Sequence, residues 1–393
     1  METTLPDPAL PPGCDRATVV LGDGRALTLD IDRDGTLRAI TGASPATATA
    51  PEVRTLALVD LQANGFAGVD FNDPRLDTAQ LDRALAAMAR TGVGICLPTL
   101  ITAPVERLEQ CFRALEAGCA GSSLAKAMVP GYHLEGPFLS PLDGYCGCHP
   151  PSAMRPADIG LFDRLNAAAG GRIRLVTIAP EVEGAMALAR HARGLGIAVA
   201  IGHTAADRAT IAAAAEAGAT LSTHLGNGTP KVLPRNDSTV MAQLAEDRLH
   251  ASFIADGIHI PADTLRVYMR AKELRRCVLV TDATAAAASE PGNYTLGPVA
   301  IRRLPDGSVR DGATPGLAGS ALTLDRAVCN VAAWLGLDLP QAAGLARDAP
   351  LRLLGIDPVP SVGQQAAIAH WRRETAGWTI LGTRLGKRHF PAG

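Results

Sequence analysis

The chain reads as an α/β protein: a (β/α)₈ barrel joined to a small β-sandwich domain built from both chain termini. Three observations predict this. Eight short apolar runs, at 55–62, 93–100, 126–134, 173–179, 197–202, 219–223, 250–255 and 277–281, alternate with helical patterns. Polar residues gather at the C-terminal ends of nearly all these runs, where a doubly wound sheet would collect them at one switch point. No G-x-G-x-x-G phosphate loop follows the first run, and short turn-punctuated apolar stretches lie outside the barrel region at both ends of the chain.

In order, residues 1 to 16 are Pro-rich and expected to be loose. Thr18 to Gly22, Arg25 to Ile31 and Thr36 to Ile40 then read as strands, because Gly-Asp-Gly and Asp-Gly between apolar runs are hairpin signals. Ser44 to Val53 reads as a connector, so the predicted division is 1–53 for the first half of the sandwich, 54–355 for the barrel and 356–393 for the second half. Helices are expected between the barrel strands. In 78–90, for example, Leu81, Leu85 and Met88 recur at helical spacing with Asp82, Arg83 and Arg90 off that face, and 204–217 and 262–273 look similar. The run from Lys126 to Pro130 is taken as the lead-in to the third strand. After the eighth strand, Asn293 to Ile301 and Gly307 to Arg310 suggest a hairpin excursion. Ser320 is a candidate N-cap, a further helix covers 340–353, and the tail from Ala366 returns as strands to pair with the N-terminal ones.

A length of 393 residues suits one large domain plus a smaller one. The formal net charge of -2 gives no basic surface for nucleic acid. No run of about 18 uncharged apolar residues suggests a membrane span, and Met1 to Pro6 lacks a basic n-region, so a cytoplasmic protein is expected. The eight cysteines are scattered without a disulfide framework.

The strand tips carry the chemistry. Glu135 ends one run before Gly-Pro, His203 and His224 end two others, and Asp282 ends a fourth. Glu135, His203 and His224 form a His₂-carboxylate set of the kind that holds a hydrolytic metal with one position open. Asp282 on the same rim is a candidate general base and acid. Each residue also has a plainer reading, since Glu135 could cap a turn and Thr281-Asp-Ala-Thr284 could cap a helix. Four such residues at four strand ends on one face favour the site.

The motifs Val59-Asp-Leu-Gln-Ala-Asn-Gly65, His133-Leu-Glu-Gly-Pro-Phe138, Val176-Thr-Ile-Ala-Pro-Glu181, Gly202-His-Thr204, Thr223-His-Leu-Gly-Asn227, Ala255-Asp-Gly-Ile-His259, Leu279-Val-Thr-Asp-Ala-Thr284 and Leu317-Ala-Gly-Ser-Ala-Leu-Thr323 run in order along the barrel region. In them the chain resembles the N-acetylglucosamine-6-phosphate deacetylases of the amidohydrolase superfamily. The resemblance implies a metal-dependent (β/α)₈ barrel that removes acetate from a 2-acetamido sugar phosphate, in a homodimer. It assigns Glu135, His203 and His224 as metal ligands and Asp282 as general acid/base. It places His149, Asn227, Gly228, Arg235 and His259 against the substrate. An exposed loop arginine is an equal reading of Arg235.

Gln62 and Asn64 occupy the first-strand positions where many amidohydrolases hold a second metal with His-x-His, so one divalent ion per chain is expected. Zinc is the first choice, with iron, cobalt and manganese also compatible with the donor set. Two departures bear on the substrate. Cys146-Gly-Cys148 replaces a common basic-Gly-Ala run before His149, and Gly228 to Arg235 differs from the common Asn-Ala-Met-Pro form. An unphosphorylated N-acyl amino sugar, another N-acyl substrate and a sugar-binding barrel without catalysis are the alternatives. Cys-x-Cys-His could be a structural metal clip, but no second cysteine pair lies nearby, and loop thiols are the simpler reading.

Overall fold

The computed structural model describes residues 14–44, 50–314, 316–375 and 377–393. The expectations of a loose N-terminus and of the connector fall largely on 1–13 and 45–49, which lie outside the described residues.

The first three strands are β1 (Asp15–Val20), β2 (Ala26–Ile31) and β3 (Leu37–Ala43), an antiparallel meander in the order β1-β2-β3. β4 (Glu52–Leu56) follows and pairs with the C-terminal part of the chain. The barrel begins at β5 (Leu58–Ala63), after which β6 (Gly65–Phe66) and β7 (Val69–Asp70) form a minimal hairpin. α1 (Thr78–Arg90), β8 (Val93–Ile101), α2 (Val105–Gly121), α3 (Ser123–Met128), β9 (Tyr132–Glu135), α4 (Ile159–Ala168), β10 (Ile173–Ile178), α5 (Ala185–Gly194), β11 (Ala198–Ile201), α6 (Arg208–Ala217), β12 (Ala219–Ser222), α7 (Thr239–Ala245), β13 (His250–Ile254), α8 (Ala262–Lys272) and β14 (Cys277–Val280) complete the alternation.

Eight parallel strands lie in the order β14-β13-β12-β11-β10-β9-β8-β5. The ring is closed by polar stitches between its first and last strands. Asp282 N–H donates to Gln62 O (2.9 Å), Asn64 N–H to Ala283 O (2.6 Å) and Thr281 Oγ1 to the Asp60 carboxylate (2.5 Å). Helices form where periodicity and caps agree. In α1 an Asp77–Gln80 capping box satisfies orphan N–H groups, and Leu81, Leu85 and Met88 are fully buried against the barrel. Each such side chain contributes about 1.5–3 kcal/mol of burial.

After β14 comes the expected hairpin excursion, β15 (Gly292–Leu296), β16 (Val299–Arg303) and β17 (Val309–Asp311), whose apolar face packs on Ile101 and Cys148. α9 (Leu324–Leu335), α10 (Leu339–Leu345) and α11 (Asp348–Leu353) finish the helical layer. β18 (Ala367–Glu374), β19 (Gly377–Leu385) and β20 (Arg388–Pro391) join β4 in a second antiparallel sheet, ordered β20-β19-β18-β4. The two terminal sheets bury Val19, Leu29, Ile31, Leu37, Leu56 and Ile368 between them, so the sandwich is built from both termini. Trp371 is fully buried, and its indole N–H donates to Thr55 Oγ1 (3.0 Å). For the folding units we propose the division 1–53, 54–355 and 356–393, with β4 crossing the first limit.

Three local expectations are corrected. Residues 126–128 end α3, because Ser122 Oγ accepts from Ala125 N–H and starts a helix there, and the third barrel strand begins only at Tyr132. Ser320 is not an N-cap. Its hydroxyl donates to Thr281 O (2.6 Å) and accepts from Leu322 N–H (3.0 Å), and the helix starts at Leu324 after Thr323. The helix expected over 340–353 is two, interrupted at Ala346 and Arg347, where Arg347 leaves helical geometry at φ -143°.

Candidate active site

At the C-terminal rim of the barrel the strands end abruptly. His203 (φ +50°), His224 (φ +30°) and Asp282 (φ +50°) all sit in the left-handed region just beyond β11, β12 and β14. Non-glycine residues adopt this conformation at a cost that the surroundings must sustain, and such residues cluster at active sites. Glu135 ends β9 immediately before Gly136, itself left-handed at φ +85°. The turn aims each side chain into the barrel mouth instead of along the ladder.

Glu135 is the centre of the arrangement. Its Oε1 lies 3.0 Å from His224 Nε2 and 3.5 Å from His203 Nε2, and its Oε2 lies 3.8 Å from His149 Nε2. The four side chains are buried. Burial alone would raise the Glu135 pKa, but hydrogen bonds from His203 and His224 outweigh it and hold the carboxyl well below its usual range. For His224 burial opposes protonation, and the hydrogen bond to Glu135 overcomes it, so its pKa is raised. His149 is pushed down to about 3 by burial and by the nearby His203, which keeps it neutral.

Ligand atoms of Glu135, His149 and His203 all lie within 4.8 Å of one another, a donor set of the kind that holds a divalent metal. The sequence reading assigned His224 to the metal and His149 to the substrate, and all three histidines border the same Glu135 carboxylate. His203 Nδ1 faces Tyr145 O at 2.9 Å, and a carbonyl only accepts, so Nδ1 carries a proton and Nε2 is the nitrogen turned toward Glu135. His149 Nδ1 lies 3.3 Å from Thr102 N and 3.0 Å from Thr102 Oγ1, which holds the ring with Nε2 toward Glu135.

Asp282 is held from the first strand. Asn64 Nδ2 donates to its Oδ1 at 2.7 Å, and Gln62 Nε2 bridges the same oxygen (3.2 Å) and Glu135 Oε1 (2.9 Å). Burial, reinforced by the charge of Glu135, raises the Asp282 pKa to about 6, with His224, His259 and Asn64 pulling against that rise. His259 is itself oriented by Asp256, whose Oδ2 lies 2.6 Å from His259 Nδ1.

The remaining predicted residues divide. Asn227 Nδ2 donates to His224 O (3.0 Å), and Gly228 follows in a left-handed turn. Arg235 stays exposed on the 229–237 loop, outside the buried cluster. All eight cysteines are free thiols, Cys148 packs on the hairpin core, and no cysteine joins the ligand group among the described residues. Several contributors had no assigned role in the sequence reading. Tyr145 acts through its carbonyl, which no side-chain pattern announces. Asp256 and Glu181 stood inside quoted motifs, and Glu181 accepts from Thr204 Oγ1 and Ala205 N–H, fixing the turn after His203.

No protein-family model matches the chain. It is 37% identical over 77% of its length to an N-acetylgalactosamine-6-phosphate deacetylase of Escherichia coli O157:H7, covering 78% of that protein. It is 34% identical over 76% of its length to the N-acetylglucosamine-6-phosphate deacetylase of Bos taurus, covering 74% of that protein. The chain belongs to the N-acetylglucosamine-6-phosphate deacetylase family. That makes it a hydrolytic enzyme of the amidohydrolase superfamily. Among solved structures, the N-acetyl-D-glucosamine-6-phosphate deacetylase of Mycobacterium smegmatis in complex with N-acetyl-D-glucosamine-6-phosphate superposes with a TM-score of 0.83. It is 28% identical, over 97% of this chain and 100% of that one. No described helix is long and apolar enough to cross a membrane.

Proposed function

We propose that this family member hydrolyses the acetamide of N-acetylglucosamine 6-phosphate to glucosamine 6-phosphate and acetate. The observation that carries the reading is the buried Glu135 carboxylate ringed by His203, His224 and His149, with the amide-clamped Asp282 beside it. Glu135, His203 and His224 would hold one divalent ion, and the Tyr145 carbonyl on His203 Nδ1 supports this by turning Nε2 toward Glu135. When bound, the ion supplies a Lewis acid that polarises an oxygen and eases deprotonation of water. Zinc suits the His₂Glu donor set.

Asp282 takes the proton from the attacking water and returns it to the departing nitrogen. Its two amide donors hold Oδ1, which leaves Oδ2 to do so. With its proton on Nε2, His149 would donate to the substrate carbonyl oxygen as charge grows on it. The same amides support a mononuclear site, because the side-chain nitrogens of Gln62 and Asn64 are committed as donors to carboxylates and an amide is a weaker metal ligand than an imidazole. Asn227 and Gly228 would receive the phosphate, with Arg235 and His259 contacting the sugar phosphate. A cytoplasmic homodimer fits the resemblance.

A second reading, N-acetylgalactosamine 6-phosphate, is favoured by the 37% identity to a deacetylase of that sugar. The deciding experiment compares acetate release by the zinc-loaded protein from both phosphorylated sugars and from free N-acetylglucosamine. Preference for either phosphate supports the phosphate cradle. Turnover of the free sugar at an equal rate would mean that the altered loops at 145–149 and 228–236 have changed recognition, and turnover of none would reject the reaction.

A further inference from the structure

We propose that Gly147 and Gly228 are positioning residues for His203: two loops close onto its imidazole, and they do so only because each presents a glycine there. This rests on the reading of His203 as a ligand. A Cβ on Gly147 would lie 2.9 Å from His203 Cε1 and 3.3 Å from Nδ1. A Cβ on Gly228 would lie 2.7 Å from Nδ1, 2.9 Å from Cε1 and 3.2 Å from Cγ. Both glycines are left-handed, at φ +60° and +59°, so an added side chain would meet backbone strain as well as a collision. Two residues before Gly147, the Tyr145 carbonyl accepts a hydrogen bond from His203 Nδ1–H.

The loops also touch each other. A Cβ on Gly144 would lie 2.8–3.0 Å from three atoms of Pro230, so the 142–149 and 226–230 segments are seated against one another at Gly144 and Pro230. On the third side the turn after His203 is fixed by Glu181 through Thr204 and Ala205. The ring is therefore oriented by backbone from loops that lie far apart in sequence.

The consequence concerns the two ends of the substrate. The first loop carries His149, at the acyl end. The second carries Asn227 and Gly228, where the phosphate would rest. Both loops close on the same imidazole, so seating either one also seats the ligand nitrogen toward Glu135. Occupancy of the sugar-phosphate end is thereby coupled to the metal end. Outer contacts that orient a metal-binding histidine are worth about 10–100-fold in metal affinity when lost.

The test is zinc affinity by chelator competition, with absorption of the cobalt-substituted protein as a readout of ligand geometry. Gly147→Ala and Gly228→Ala are expected to weaken zinc about tenfold or more and to change the cobalt spectrum. Gly171→Ala is the control: it is left-handed at φ +72° with nothing within 4 Å of its Cβ position, and it is expected to bind zinc as the parent does. Pro230→Ala removes the inter-loop contact without adding bulk and tests the clasp if the glycine variants do not fold. Its zinc affinity is expected to fall about threefold, less than a full outer contact is worth. Parent-like zinc affinity and cobalt spectra in the folded variants would overturn the proposal. Parent protein that binds zinc but releases no acetate would reject the proposed function and leave the clasp standing.

Discussion

The barrel rim and the terminal sandwich are both made where strands end, and they end in opposite ways. In the sandwich, strands turn through glycine-bearing hairpins and bury Leu29, Ile31, Leu37 and Ile368, all at 4% exposure or less. At the rim, three non-glycine residues take left-handed backbone, and a carboxylate is buried among histidines. One region is relaxed and apolar, and the other is strained and polar. The contrast teaches that the rim is not stable on its own terms. It is sustained by the apolar barrel wall below it and by hydrogen bonds that reach across long stretches of chain.

The comparison predicts that rim substitutions change chemistry with little effect on folding, and that sandwich substitutions do the reverse. The largest expected effect is on turnover. Asp282→Asn should lower kcat by about 10²–10⁴-fold, the usual worth of a general base, with zinc content unchanged by elemental analysis. Next, Trp371→Ala removes a fully buried indole and its bond to Thr55. It should cost about 3–5 kcal/mol in denaturant unfolding, while the folded fraction keeps parental kcat. If Trp371→Ala lowered kcat as Asp282→Asn does, the division between the two regions would fail.

A smaller effect sharpens the rim itself. Asn64 donates to the Asp282 carboxylate and so favours the charged form. Asn64→Leu should therefore raise the pKa of Asp282 and move the acid limb of the kcat profile to higher pH. A limb that stays in place would mean that the Asn64 bond does not tune the base.

The smallest effect concerns stability against pH. Burial raises Asp60 to about 7, with its bonds from Thr281 pulling the other way. The folded chain then binds more protons than the unfolded one between about pH 4 and 7, so stability falls as pH rises through that window. Asp60→Asn should flatten this slope in melting temperatures taken from pH 5 to pH 8. An unchanged slope would show that other groups set it.

Much of this was legible because rim chemistry sits at strand tips, where Gly-Pro or a polar residue interrupts an apolar run. Glu135, His203, His224 and Asp282 each stand at such an interruption, and the structure brings them to one mouth. The partners were less legible. Gln62 and Asn64 could be recognised as poor metal ligands, but their role as clamps on Asp282 depends on contacts across about 220 residues that only barrel closure creates. Tyr145 contributes a carbonyl, which every residue type has. Lys126 to Met128 was misjudged because a short apolar run fits a strand lead-in or a helix end equally well, and the Ser122 cap decided between them. Ser320 was misjudged because its hydroxyl serves the closed seam and not the helix that follows.

The most direct measurement titrates metal-free protein with zinc while following acetate release from N-acetylglucosamine 6-phosphate. Activity should rise linearly and break at one equivalent per chain, as expected for a single site formed by Glu135, His203 and His224 with Gln62 and Asn64 clamping the base. A break at two equivalents, with the first ion silent, would contradict the account.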